Sequence, residues 1–176
     1  MYYCGKECQR KDWKQHKLEC EIFMENFSII QKNLYRFLLR LYLYIEHNPD
    51  SLNDRRKFQH DHPDSGRCLN DLMTHREQII RDPIRINAFQ SLCLKFESLK
   101  QIQFDPDKLF KYFCIICINS FQITNCELNG IGSGLYLAES KLDHSCTPNA
   151  APVFNGQRIV IRAIKVIKSG EPITIN

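Results

Sequence analysis

Residues 142–149 read Leu-Asp-His-Ser-Cys-Thr-Pro-Asn, and this octapeptide stands among motifs that gain weight from their order along the chain. Asn119-Ser-Phe and Gly132-Ser-Gly-Leu-Tyr136 precede it, and Gly170-Glu-Pro-Ile-Thr-Ile175 follows it. Each motif alone is modest, because an Asp-His pair in a loop is more often a turn than a site. The four together mark the region that decides the fold.

The segment after the octapeptide predicts short β-strands. Ala151-Pro-Val-Phe and Arg158-Ile-Val-Ile-Arg flank an Asn155-Gly156 turn, a pattern typical of a β-hairpin. Lys168-Ser-Gly predicts a second turn, and Pro172 to Ile175 predicts the start of a further strand.

The residues ahead of Asn119 predict helices. Apolar side chains are dense enough over residues 21–46 to indicate one largely buried helix, with apolar positions that include Ile22, Phe27, Ile30, Leu34 and Leu41. Three more helical stretches are expected near 67–81, 84–101 and 106–120. Asp-Pro pairs at 82–83 and 105–106 are typical of N-caps for the last two.

Two further segments lack helical periodicity and are predicted to be loops. Residues 48–66 contain two prolines and a charged run, and Gly130, Gly132 and Gly134 open a second loop. Helices in the first two thirds and short strands in the last third predict an α+β fold.

Composition narrows the class of protein. A chain of 176 residues with 43% apolar content can bury a sizeable core, and its net charge of +4 permits an acidic partner without demanding nucleic acid. The longest apolar run, Leu34 to Ile45, is interrupted by Arg36 and Arg40 and is too short for a membrane helix, so no membrane partner is expected. Nine cysteines without a secretory signal indicate metal ligands and buried thiols in the cytoplasm or nucleus.

The N-terminus carries a second constellation, made of Cys4, Cys8, His16 and Cys20. A spacing of four residues places Cys4 and Cys8, and likewise His16 and Cys20, on one helical face as a pair of metal ligands. The first interpretation is a single Cys₃His zinc site. If one helix joins Cys8 to His16, however, they stand about 12 Å apart, too far for ligands of one tetrahedral zinc. The spacing therefore favours two zinc sites.

These residues carry a resemblance to a known family. Tyr3-Cys4-x3-Cys8-Gln9-x3-Trp13-x2-His16-x3-Cys20 resembles the second half of a MYND zinc finger. With the octapeptide region behind it, the chain resembles the SMYD family of SET-domain protein-lysine methyltransferases. The resemblance implies the C-terminal half of a MYND finger at 1–20, a helical connector and SET insert at 21–118, and an incomplete SET core at 119–176.

The resemblance also implies ligands and cofactors. Zinc would be held by Cys4 with Cys8, by His16 with Cys20, and in a third site by Cys146. In each finger site an upstream pair that this chain lacks would supply the other two ligands. S-adenosylmethionine would be gripped by Asn119, Asp143 and His144. The family's catalytic tyrosine is expected beyond Asn176.

The implied partners are a protein substrate that offers a lysine side chain and a peptide bound by the MYND finger. Lys11, Lys14 and Lys17 lie three residues apart on the finger helix, away from the ligand face. They form either a solvated helix face or a stripe that contacts a peptide or nucleic acid.

Asp143 departs from the family pattern, which normally reads Asn-His-Ser-Cys. An amide both donates and accepts hydrogen bonds, whereas a carboxylate only accepts them. Asp143 can pair with the ammonium group of the cofactor but would repel its carboxylate. From the sequence alone, Asp143→Asn is expected to tighten cofactor binding.

Two functions from different classes are compatible with these motifs. The favoured one is an S-adenosylmethionine-dependent protein-lysine N-methyltransferase acting on histone or non-histone proteins, supported by the intact His-Ser-Cys-x-Pro-Asn run at 144–149. The alternative is a non-catalytic MYND-type zinc-binding adaptor with a degenerate SET domain, which Asp143 would favour.

The implied ligand sets give a first testable prediction. The 176-residue chain should bind zinc weakly, because each finger site has only two of its four implied ligands here. It should also transfer no methyl groups, because the implied tyrosine and the glycine-rich cofactor loop lie outside it. Zinc analysis after dialysis and radiolabelled methyl transfer check both statements. One tightly held zinc per chain, or measurable turnover, would contradict them.

Overall fold

The computed structural model describes residues 3–27, 33–59 and 61–176. Helices occupy the first part of this described chain and strands the last. The helices are α1 (Lys6–Glu25), α2 (Asn33–His47), α3 (Arg76–Arg81), α4 (Pro83–Glu97) and α5 (Pro106–Asn119). The strands are β1 (Ser120–Thr124), β2 (Gly130–Leu135), β3 (Asp143–His144), β4 (Ala150–Asn155), β5 (Arg158–Ala163) and β6 (Thr174–Ile175). The predicted α+β class is confirmed.

Contacts divide the chain into two units. One consists of Met1–Ser51 and Thr74–Cys117, and the other of Leu52–Met73 and Ile118–Asn176. The second unit therefore contains the strands together with residues 52–73, a segment that the sequence grouped with the helical connector.

The first unit has an aromatic core. The Tyr35 ring of α2 lies 4.6 Å from that of Phe96 in α4, and Phe96 lies 4.5 Å from Phe104 in an edge-on contact. Tyr35 and Phe96 are almost completely shielded from solvent. Tilted and edge-on aromatic pairs at these separations add to the stabilisation gained from apolar burial.

The single helix predicted over residues 21–46 is wrong. α1 ends at Glu25 because Asn26 caps it: its backbone N–H and its side-chain amide both donate to the Ile22 carbonyl, at 3.0 and 3.1 Å. α2 begins afresh at Asn33. Phe27 is largely exposed, and Ile30 lies outside the described residues.

The helix predicted over 67–81 is also longer than the one found. Arg67 instead pairs through its backbone with Arg56, and only a 3₁₀ turn forms at Leu69–Asp71. The Asp71 carboxylate accepts the Cys68 backbone N–H at 2.9 Å, which favours this local turn over a helix. α3 then starts at Arg76, after His75 in a left-handed conformation with φ of 44°.

Both Asp-Pro pairs act as predicted. Oδ1 of Asp82 accepts the backbone N–H groups of Ile84 and Arg85, at 2.9 and 3.2 Å, and Pro83 occupies the first helical position. Asp105 caps α5 in the same way through Asp107 and Lys108. Both N-cap predictions are confirmed. They could be made from the sequence because an N-cap depends only on residues two or three positions apart.

The second unit contains three two-stranded sheets. β1 pairs with β2 and β4 with β5, both antiparallel, and β3 pairs in parallel with β6. The predicted β4–β5 hairpin is confirmed, with Gly156 at φ of 60° in its turn. The loop predicted from Gly130, Gly132 and Gly134 is wrong, since these glycines form β2. A Cβ at Gly130 would lie 2.0 Å from Nε2 of Gln122, so only glycine fits there unless the Gln122 side chain moves.

The β3–β6 pair is fastened by Asn149. Its side chain accepts the Thr174 backbone N–H at 2.8 Å and donates to the Pro172 carbonyl at 2.9 Å, while its own carbonyl accepts the Ile164 N–H at 2.9 Å. Asn149 thus joins three separate segments of the chain. Ser145 adds a backbone bond to the Ile175 carbonyl at 2.8 Å.

We expect Asn149→Ala to destabilise the protein by about 1–3 kcal/mol, because two side-chain hydrogen bonds are lost and two backbone groups lose their partner. Urea unfolding measures the change. Gln157→Ala is the matched control, since it removes an exposed amide in the β4–β5 turn and should shift stability by less than about 0.5 kcal/mol. Equal stability of both variants would contradict the fastening role of Asn149.

Candidate functional site

A cleft in the second unit brings together the three residues that the sequence assigned to cofactor binding. Asn119, Asp143 and His144 all line this open cleft, whose volume is about 680 Å³. They come from the end of α5 and from β3, so they are contributed by elements 24 residues apart in the chain, from 119 to 143. We call this space the β3 cleft.

Each of these side chains is placed by a backbone constraint. Asn119 is the last residue of α5, and its amide donates to the Met73 carbonyl at 2.8 Å. Asp143 and His144 project from β3, which is held by its parallel register with Thr174 and Ile175. The polar side of the cleft therefore depends on the β3–β6 pair.

Aromatic and aliphatic side chains form the remaining walls of the β3 cleft. Phe121 of β1 and Phe154 of β4 both line it, and Tyr136 lies 5.8 Å from each ring. The Tyr136 hydroxyl donates to the Gln157 carbonyl at 2.9 Å, which fixes the ring between them. The cleft thus combines a polar edge with apolar walls, the usual composition of a small-molecule site.

Two cations line the same cleft, and sequence reasoning missed both. Lys141 pairs with Asp61 at 3.2 Å, and this contact lowers the pKa of the Asp61 carboxyl. The half-buried Arg67 donates to the Ser140 carbonyl and more weakly to the Asp71 carbonyl at 3.4 Å. The sequence predicts the end of a loop and the start of a helix over residues 52–73, and neither pattern indicates that they approach the β3 region.

Cys146 lies just beyond the β3 cleft. It is exposed, and its sulfur is 3.6 Å from Nε2 of His144. The thiol is therefore accessible to a metal from solvent, with the His144 imidazole beside it.

The predicted ligand pair Cys4 and Cys8 converges. Their sulfur atoms lie 2.7 Å apart at the exposed start of α1, and the hydrogen bond between the thiols raises the pKa of Cys8. Two thiols on one turn fit a pair of zinc ligands, and metal binding would displace the shared proton.

His16 and Cys20 lie two turns further along the same helix. Nδ1 of His16 is 3.4 Å from Oε1 of Glu19, an arrangement that leaves Nε2 for a metal, and Cys20 is half-buried one turn on. Carboxylates commonly orient metal-bound histidines in this way. Glu19 is fully buried, which raises the pKa of its carboxyl, while Arg40 opposes that shift from 2.7 Å.

The helix between the two pairs is continuous. α1 runs unbroken from Lys6 to Glu25, so Cys8 and His16 are separated by about 12 Å of helix. Within residues 3–27, 33–59 and 61–176, no group of three or more His, Cys, Asp or Glu side chains is arranged to hold a metal. One continuous helix thus keeps the two pairs apart, and two separate zinc sites remain a prediction.

Comparison with known proteins places the chain in a family. The family model described as "SET domain" matches residues 3–176, and the chain therefore belongs to the SET domain family. Human "Histone-lysine N-methyltransferase SMYD3" is 31% identical over 174 residues, covering 98% of this chain and 39% of its own length. The resemblance to SMYD proteins predicted from the sequence is thus confirmed.

Two further relatives extend the match. Human "N-lysine methyltransferase SMYD2" is 29% identical over 179 residues, covering 98% of this chain and 38% of its own. "Histone-lysine N-methyltransferase ASHR1" of Arabidopsis thaliana is 29% identical over 185 residues, covering 100% and 36%. The chain therefore spans less than two fifths of the length of each of these two relatives. Among its described residues, no helix is long and apolar enough to cross a membrane.

The separation of the two ligand pairs can be tested by thiol alkylation with saturating zinc. If the two pairs serve different metals, His16→Ala should expose Cys20 to iodoacetamide while Cys4 and Cys8 stay protected. Lys14→Ala, an exposed change on the same helix, is the control and should alter the protection of none of these cysteines. Peptide mass spectrometry reads each cysteine separately. Simultaneous loss of protection at all three in His16→Ala would instead support one shared zinc.

Proposed function

We propose that the protein is an S-adenosylmethionine-dependent protein-lysine N-methyltransferase, acting on a lysine of a histone or non-histone protein. One observation carries the proposal: Asn119, Asp143 and His144, which match the cofactor positions of the SMYD family, line a single cleft. The cofactor supplies a methyl group activated by a sulfonium, and the rest of the reaction depends on positioning.

The residues of the β3 cleft suit the amino-acid end of that cofactor. Asn119 offers an amide oriented by the Met73 carbonyl, Asp143 a carboxylate, and His144 an imidazole. The amino-acid end of the cofactor carries an ammonium and a carboxylate, and both need polar partners when they leave water. The three side chains therefore bind and orient, with no proton transfer assigned to them.

The apolar walls contribute water exclusion. Phe121, Phe154 and Pro152 line the same cleft as the three polar side chains. Methyl transfer to a neutral amine requires the two reacting groups to be collinear and shielded from solvent, so fixed aromatic walls favour it. The Tyr136 ring packs against both Phe121 and Phe154.

The relatives favour an enzyme over an adaptor. SMYD3, SMYD2 and ASHR1 are each described as lysine methyltransferases. We assign the zinc-binding role to Cys4 with Cys8, His16 with Cys20, and Cys146, and a peptide partner to the finger. Action in the cytoplasm and nucleus belongs to the same proposal.

Calorimetric titration with S-adenosylhomocysteine, the demethylated cofactor, tests the site in a protein extended to the length of its SMYD relatives. Asn119→Ala and His144→Ala should each weaken binding about tenfold, the value of one lost hydrogen bond to a charged group. Asn155→Ala, an exposed amide in the β4–β5 turn, should leave affinity unchanged.

Radiolabelled cofactor then tests the reaction with histones and with a cytosolic extract, in a protein extended to the length of its SMYD relatives, since the 176-residue chain is expected to transfer no methyl groups. Label on lysine is the expected result. Affinity that is insensitive to both site variants would remove the cofactor site from the β3 cleft. Tight cofactor binding without any labelled protein would favour the adaptor.

A further inference from the structure

The β3 cleft holds one cation and one anion that have no charged partner in the described protein. Arg67 and Asp143 both line it. Among residues 3–27, 33–59 and 61–176, no carboxylate lies within ion-pair distance of Arg67, and no Lys, Arg or His within that distance of Asp143. The two opposite charges therefore face the same space uncompensated.

Lys141, the other cation of the cleft, differs from Arg67. Its Nζ lies 3.2 Å from Oδ2 of Asp61, and both side chains are about 30% exposed. The Lys141 charge is thus already matched within the protein, which leaves Arg67 as the cation available to a ligand.

Arg67 is held in place by neutral oxygens. Its backbone forms two hydrogen bonds with Arg56, at 2.8 and 2.7 Å, and its guanidinium donates to the carbonyls of Ser140 and Asp71. A guanidinium has five N–H donors in a rigid fork, so these bonds orient the group without exhausting it. The remaining donors match the two oxygens of a carboxylate.

We propose that Arg67 and Asp143 together bind the two charged groups of an α-amino acid end, Arg67 the α-carboxylate and Asp143 the α-ammonium. The assignment rests on the proposed function, in which that amino acid is the methionine part of S-adenosylmethionine. Arg67 lies outside the octapeptide at 142–149, so the motif gives no indication of this binding role.

This pairing accounts for Asp143 where the family has an amide. A carboxylate alone would repel the cofactor carboxylate, but Arg67 draws that group to its own side and leaves the ammonium to Asp143. A desolvated ammonium gains more from a carboxylate than from a neutral amide. The expectation drawn from sequence alone is thereby reversed: Asp143→Asn should weaken binding rather than tighten it.

Arg67 also has a structural part, because it links residues 67–71 to the turn that precedes Asp143. Loss of that link would disturb every ligand of the cleft, whereas loss of the carboxylate contact would affect only ligands that carry a carboxylate. Two probes separate these roles: S-adenosylhomocysteine, and 5′-methylthioadenosine, which has the adenosine and sulfur but no amino-acid end.

Calorimetry with both probes should give a selective loss. Arg67→Gln should weaken S-adenosylhomocysteine binding about ten- to hundredfold and change 5′-methylthioadenosine binding less than about twofold. Asp143→Asn should show the same selectivity with about a tenfold loss. Arg67→Lys keeps the charge and should recover part of the affinity. Arg56→Gln, an exposed arginine bonded to Arg67 through the backbone only, is the control for net charge.

Decarboxylated S-adenosylmethionine separates the proposed role of Arg67 from that of Asp143. It retains the ammonium, so Asp143→Asn should weaken it and Arg67→Gln should not. Equal losses of all probes in Arg67→Gln would overturn the inference in favour of a structural role, and tighter binding by Asp143→Asn would overturn it in favour of simple repulsion. Failure of the otherwise unchanged protein, extended to the length of its SMYD relatives, to bind any of these adenosyl probes would instead refute the proposed function.

Discussion

The parallel pairing of β3 with β6 is the constraint on which the candidate site depends. Asp143 and Thr174 are 31 residues apart in sequence, and a parallel pair needs a long connection, here containing the β4–β5 hairpin. Pairing over two residues is too short to hold the ends of this long connection together alone. Asn149 supplies the rest, because it bonds the 163–165 and 172–174 segments at once. The positions of Asp143 and His144 follow from that junction.

Local chemistry decided which elements the sequence could predict. Asp82 and Asp105 cap helices through bonds to residues two and three positions on, and Asn155-Gly156 turns a hairpin within four residues, so these were predictable. The break at Asn26 interrupts an apolar pattern that continues on both sides, and periodicity cannot reveal it. The glycines of β2 were misassigned because their role is set by packing: a Cβ at Gly130 would meet Gln122 of β1, and a Cβ at Gly134 would meet the Tyr136 ring.

The residues of the candidate site also separate into those that the sequence identified and those that it missed. Asn119, Asp143 and His144 were identified by resemblance, and the structure brings them to one cleft. Arg67 was missed because the sequence placed it at the junction of a predicted loop over 48–66 and a predicted helix over 67–81, and only folding carries it to the turn before Asp143. A motif contains only the residues that its family shares, so it cannot reveal a partner that one chain has acquired. Asp143 adds a negative charge that the family pattern lacks, and the search for a cation to match it leads to Arg67.

A second set of charged contacts joins α1 to α2. α1 is polar over most of its surface and offers few apolar side chains to α2, so ordinary burial holds it weakly. Arg40 of α2 instead contacts both Asp12 and Glu19 of α1, and Tyr3 donates to Asp12 at 2.7 Å. A buried ion network contributes little net stability but permits few alternative arrangements. Because Glu19 also contacts His16, Arg40 links the orientation of a candidate zinc ligand to the packing of α1 on α2.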